Sequence, residues 1–239
     1  MTGMSPLRTL LLLPALLFVG GLAALILQAR AAPAPYAPNG PSTIVIGIDL
    51  SASNPLIHDD GFAAKVADRV RPMIAGLAPR SRVILRSFGA YNSSANAPLT
   101  LDIVIAPKTA RAEDIAMLIA NVIAGVPHMV RQGRIQAQST SNIVPFLLNM
   151  ANVLDCRAMP TVVVLASDGV EDSQVANLKR RSATLPAPQI APFPGCEELM
   201  ILGIGRGLDS PGDTERLRGE WAFWAQHAGF RRFTGLNDW

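Results

Sequence analysis

Ile44-Val45-Ile46-Gly47-Ile48-Asp49-Leu50-Ser51-Ala52-Ser53 is an apolar run that ends in a burst of oxygen-bearing side chains. β-Branched and small apolar residues lead up to Asp49, and two hydroxyls follow it at alternate positions. A parallel strand buried on both faces reads as such a continuous apolar run. In an open α/β sheet, ligands bind just past the carboxyl ends of the strands. Asp49, Ser51 and Ser53 therefore arrive where a binding site is expected. One carboxylate among neutral oxygens suits a hard divalent cation such as Mg²⁺, which keeps waters and open positions.

Outward from this stretch, strands alternate with helix-length segments, which predicts a mostly parallel sheet. The first strand is about Thr43 to Leu50. Asp59 or Asp60 caps a helix to about Leu77, with Phe62, Val66, Val70 and Ile74 near helical spacing. Val83 to Phe88 is a second strand. Leu99 to Ile105 follows so closely that it pairs as a hairpin and is antiparallel. Arg111 to Val126 reads as a helix with Ile115, Leu118, Ile119 and Val122 on one face. Asn142 to Leu154 is another, with Pro145 tolerated in its first turn. Thr161 to Ser167 and Leu199 to Gly205 are further strands. Asp213 or Thr214 caps a helix to Ala228, Gly229 stops it, and Arg231 to Thr234 closes the sheet. Trp221 and Trp224, with Leu217, mark the core face of that helix. For Trp239 the sequence leaves open whether it packs back or serves as a docking handle.

Two further segments carry oxygen-bearing side chains that bear on the same site. Ser139-Thr140-Ser141-Asn142-Ile143 precedes a helical run, and Val162-Val163-Val164-Leu165-Ala166-Ser167-Asp168-Gly169 is another buried strand ending in an acid. Asp49-Leu50-Ser51-Ala52-Ser53 resembles the D-x-S-x-S motif of von Willebrand factor A (vWA) domains, and the other two segments follow in that family's chain order. The resemblance covers roughly Ser42 to Leu236. It implies a three-layer, doubly wound α/β fold, Rossmann-like, with a mostly parallel sheet and one antiparallel edge strand. It also implies a metal-ion-dependent adhesion site. There Ser51 and Ser53 would be direct ligands, and Asp49 and Asp168 largely water-mediated ones. A hydroxyl from the middle loop would complete the set: Ser141 by spacing, Thr140 by residue type. The metal would be Mg²⁺, with Mn²⁺ or Ca²⁺ as alternatives. The family places a helix between Asp172 and Gly195. Pro186, Pro188, Pro192 and Pro194 leave room only for a short one, about Asp172 to Ser182.

The chain has 239 residues, 49% hydrophobic and 16% charged, enough for one substantial domain and an appendage. The appendage is residues 1–30. Leu10 to Leu27 carries no charge and, at about eighteen positions, is just long enough to cross a bilayer. Arg8 argues for an inside N-terminus. Ala29-Arg30-Ala31 has the form of a signal-peptidase site, so a cleaved signal peptide competes with a retained anchor. Residues 31–41 read as an Ala/Pro-rich spacer and 42–239 as the vWA-like domain. The expected location is the inner membrane, single-pass with the domain in the periplasm, or the periplasm itself after cleavage.

A net charge of +3 gives no ground for a nucleic-acid partner, and Lys179-Arg180-Arg181 reads as a solvated loop. His58, His128 and His227 stand alone, without the pairing a zinc site needs. No G-x-S-x-G elbow, P-loop or GxGxxG occurs. Cys156 and Cys196 each precede a strand, and in the implied sheet those strands are parallel neighbours. Export then permits a disulfide closing a loop of about forty residues, worth roughly 4 kcal/mol; two buried free thiols are the alternative. The resemblance implies a non-enzymatic module whose metal grips an acidic side chain of a partner protein. A metal-dependent hydrolase of phosphate or ester groups is the alternative.

Overall fold

Every residue of β1 (Thr43–Asp49) is buried, as is every residue of β4 (Thr161–Ala166). That is the physical reason both read as unbroken apolar runs. The computed structural model describes residues 40–90 and 99–239. The expected anchor and nearly all of the spacer lie outside the described residues. β1 and β4 are central neighbours in a six-stranded sheet with β2 (Arg82–Phe88), β3 (Thr100–Val104), β5 (Glu198–Leu202) and β6 (Arg232–Leu236). The order is β3-β2-β1-β4-β5-β6. All pairings are parallel except β2 with β3. The fold is the expected three-layer, mostly parallel α/β sheet with one antiparallel edge.

α3 (Ile143–Ala151) and α4 (Pro211–Ala228) share one apolar cluster with Val45, Ile84, Val163, Leu165, Leu199 and Ile201. Alternation along a strand turns the buried Ile44, Ile46 and Ile48 to the opposite face. There α1 (Asp60–Ala75) and α2 (Ala112–Arg131) pack against each other. Gly47 is required by close approach: a Cβ at that position would lie 2.7 Å from both Leu165 Cδ2 and Phe146 Cε1. Trp221 and Trp224 are buried as expected. Trp239 packs back, its ring 5.9 Å from that of Phe62, over which the Arg206 guanidinium also sits at 4.6 Å.

Three expectations are corrected. The buried row of α2 is Ile115, Ile119, Ile123 and Val126, while Leu118 is 43% exposed. The helix runs on to Arg131 and so absorbs Pro127. By length and composition it is the one described helix apolar enough to cross a membrane, yet this row packs it into the domain. α4 starts earlier than expected, with Ser210 as its cap: Gly212 N donates to Ser210 Oγ at 3.1 Å. Residues 172–182 form turns and bridges rather than a short helix. The reason is tertiary. Asp172 N donates to Ser141 O, Leu178 N to Glu171 O, and Leu178 O accepts from Arg216 of α4, so these backbone groups are satisfied without helical bonds.

Cys156 and Cys196 form a disulfide with Cα atoms 4.8 Å apart. It joins the segments leading into the parallel neighbours β4 and β5, at the sheet end opposite Asp49.

Candidate functional site

The strand order runs outward from β1 in one direction and from β4 in the other, so their carboxyl ends open the crevice in which such sheets bind ligands. Asp49 is the last residue of β1, and Asp168 lies two residues beyond β4. Asn54 clamps the two strand ends together. Its fully buried amide donates to Asp49 O at 2.7 Å and to Ala166 O at 3.0 Å.

Asp49 has no exposed surface. Its Oδ1 accepts from Ser51 N at 2.9 Å, and its Oδ2 accepts from both Ser141 Oγ and Ser167 Oγ at 2.7 Å. Ser51 Oγ and Ser53 Oγ are 3.4 Å apart. Ser53 also interacts with the Asp168 carboxylate, whose Oδ1 accepts from Val170 N at 2.9 Å. Asp49, Ser51, Ser53, Ser141 and Asp168 therefore meet in one network. Of the two candidates in the middle loop, the buried Ser141 reaches Asp49; Thr140 is only half-buried and makes no hydrogen bond to it.

Burial raises the proton affinity of Asp49 against the lowering effect of its hydroxyl and amide donors. Asp168 is pushed up to about 7, first by burial and then by the charge of Asp49; Val170 N, Ser53 and the field of Lys179 oppose this. Two buried carboxyls thus face each other with little cationic compensation.

The middle loop is laced to three strand ends. Gln138 N donates to Leu50 O and Ala52 N to Gln138 O, both at 2.8 Å. Asn142 donates through its side chain to Gly89 O at 2.6 Å, and Asp172 N donates to Ser141 O at 2.9 Å. On the other side, Trp221 Nε1 of α4 donates to Gly169 O at 2.7 Å. Gly169 sits at a φ of 73°, which suits glycine, and fixes the turn after Asp168.

Sequence reasoning missed Ser167, Asn54 and Glu171. Ser167 was signalled only by being a hydroxyl directly before the acid at a strand end. Glu171 is wholly buried; its Oε2 accepts from Val144 N at 2.8 Å and its Oε1 has no hydrogen-bond partner. Burial raises it to about 7 as well. The three histidines are exposed. Among the described residues, no group of three or more His, Cys, Asp or Glu side chains could hold a metal. A cation at this crevice would rest on hydroxyls plus two acids.

No protein-family model matches the chain, and no curated protein matches it. A similar solved structure is human COPII-coat protein Sec24c. It is 12% identical with a TM-score of 0.41, over 86% of this chain and 30% of that one. The chain thus spans under a third of that protein, and a likeness of this degree carries no argument about function.

The donor set fits a hard divalent ion: all oxygens, few charges, and two desolvated carboxyls that a cation would relieve. Ser51, Ser53 and Ser141 supply neutral oxygens, and Asp49 and Asp168 the anionic ones.

Proposed function

We propose that residues 42–239 form a vWA-type binding module that uses Mg²⁺ to engage an acidic side chain of a partner protein. The observation that supports this is the convergence of Asp49, Ser51, Ser53, Ser141 and Asp168, from three separate segments, at the β1/β4 crevice. Ser51, Ser53 and Ser141 would hold the ion directly, and Asp49 and Asp168 would act on it through water. A bound Mg²⁺ with so few charged ligands supplies a residual positive charge that a partner carboxylate can complete. Asp49 orients the hydroxyls, while Asn54 and Trp221 keep the two strand-end turns in place. With the N-terminal apolar stretch as anchor or export signal, the module would work at the periplasmic face of the inner membrane, in assembly or adhesion.

The test is Mg²⁺ and Mn²⁺ titration of the full chain in mild detergent, by calorimetry and thermal melting. Asp49→Ala and the gentler Ser53→Ala, at an exposed residue, are run beside it. Divalent-dependent stabilisation in the wild type, weakened in Ser53→Ala and lost in Asp49→Ala, is expected. Absence of divalent binding by the wild type would overturn the proposal.

A further inference from the structure

We infer that Glu171 is a positioning residue of the Asp49–Asp168 site, bracing the Ser141 loop against the Asp168 loop and placing a third negative charge behind it. This rests on the metal-site reading above. The residue at the start of α3, Asn142, does not cap that helix with its side chain, which is turned to Gly89 O instead. Glu171 does so from a different loop, its Oε2 accepting from Val144 N at 2.8 Å. The next residue, Asp172, binds Ser141 O through its own N–H at 2.9 Å. Residues 171 and 172 thus grip the middle loop on both sides of Asn142. The grip is itself fixed, because Glu171 O accepts from Leu178 N, and Arg216 holds Leu178 O.

Capping alone does not need a charge here; a serine or asparagine at the helix start would serve. A buried carboxylate with one oxygen lacking a hydrogen bond of good geometry costs stability. Burial is the main cause; the Ser173 hydroxyl and the Val144 and Ile143 amides offset part of it, and the charge of Asp49 adds a smaller repulsion. With a divalent ion in the crevice the repulsion from Asp49 would be offset, and Glu171 would act as a counter-charge rather than a liability. A residue of this kind has a signature that a purely structural one lacks: removing its charge moves stability and metal affinity in opposite directions.

The test uses the full chain at about pH 8, with Mg²⁺ alone as probe. Glu171→Gln keeps the shape and an oxygen for Val144 N. In EDTA this variant should melt no lower than wild type, yet bind Mg²⁺ about tenfold more weakly, the usual scale for groups behind the ligands. Glu171→Ala, which also loses the cap, should bind more weakly still and melt lower. Unchanged Mg²⁺ affinity in Glu171→Gln, or a parallel fall of affinity and melting temperature, would overturn the inference while leaving the metal site standing. Failure of the wild type to bind Mg²⁺ would remove the site and the inference together.

Discussion

Replacing Asp168 by asparagine should stabilise the metal-free protein above neutral pH and destroy its response to Mg²⁺. The Asp168 carboxyl goes from an ordinary 3.8 to about 7 on folding, driven by burial and by Asp49. An acid raised in this way holds its proton more tightly folded than unfolded. Its full stability is present below about pH 4 and is lost as pH rises through 7. The loss at pH 8 amounts to about 4 kcal/mol for the ionised group, a ceiling because an interior relaxes around a charge. In Asp168→Asn the side chain never ionises, and its amide oxygen still accepts from Val170 N. For a domain of this size the ceiling corresponds to about 10 °C in melting temperature. The assay is thermal melting in EDTA from about pH 5 to about 8.5, a range that brackets the raised carboxyl, then with saturating Mg²⁺. In EDTA the wild type should lose stability with rising pH more steeply than Asp168→Asn, and the variant should be the more stable at pH 8. With Mg²⁺ the wild type should gain and the variant should not. Parallel pH curves in EDTA would refute the reasoning, since only the wild type carries the Asp168 ionisation and its repulsion with Asp49.

Ser141→Ala should weaken Mg²⁺ binding at least tenfold in calorimetry, while Thr140→Ala should leave it unchanged, because only Ser141 reaches Asp49. Cys156→Ser with Cys196→Ser should cost about 4 kcal/mol on the chain-entropy account of a loop of this length. Denaturant melts would show it, with Mg²⁺ affinity intact because the bridge lies at the opposite end of the sheet.

The sheet was legible because burial on both faces leaves no ambiguity in β1 and β4, and because a loop too short for a crossover forces β3 to be antiparallel. The errors have a common cause. Residues 172–182 have the composition of a short helix, but Ser141 and Arg216, each more than thirty residues away, take up backbone groups of Asp172 and Leu178 first. Likewise the inward row of α2 is set by the surfaces it packs against. Choosing Ile123 and Val126 over Leu118 needs the partner surface, not the spacing alone.

For the site, legibility stopped where contacts became long-range. Asp49, Ser51 and Ser53 are neighbours in the chain, and Ser141 keeps its register with the apolar residues after it. Ser167, Asn54 and Glu171 act across 118, 112 and 27 residues respectively, and nothing local marks them. Yet they decide what the visible residues can do. A serine hydroxyl has one proton to donate and two lone pairs. By donating that proton to Asp49, Ser141 leaves its lone pairs free to face a cation, and Ser167 secures the same carboxylate oxygen from a second side. Asp49 sits in a fully buried position where burial raises its proton affinity by more than its donors lower it, and a cation in the crevice would favour the anion. The sequence motif is the part of this arrangement that happens to be contiguous; the electrostatics that would make it bind belong to residues the motif does not contain.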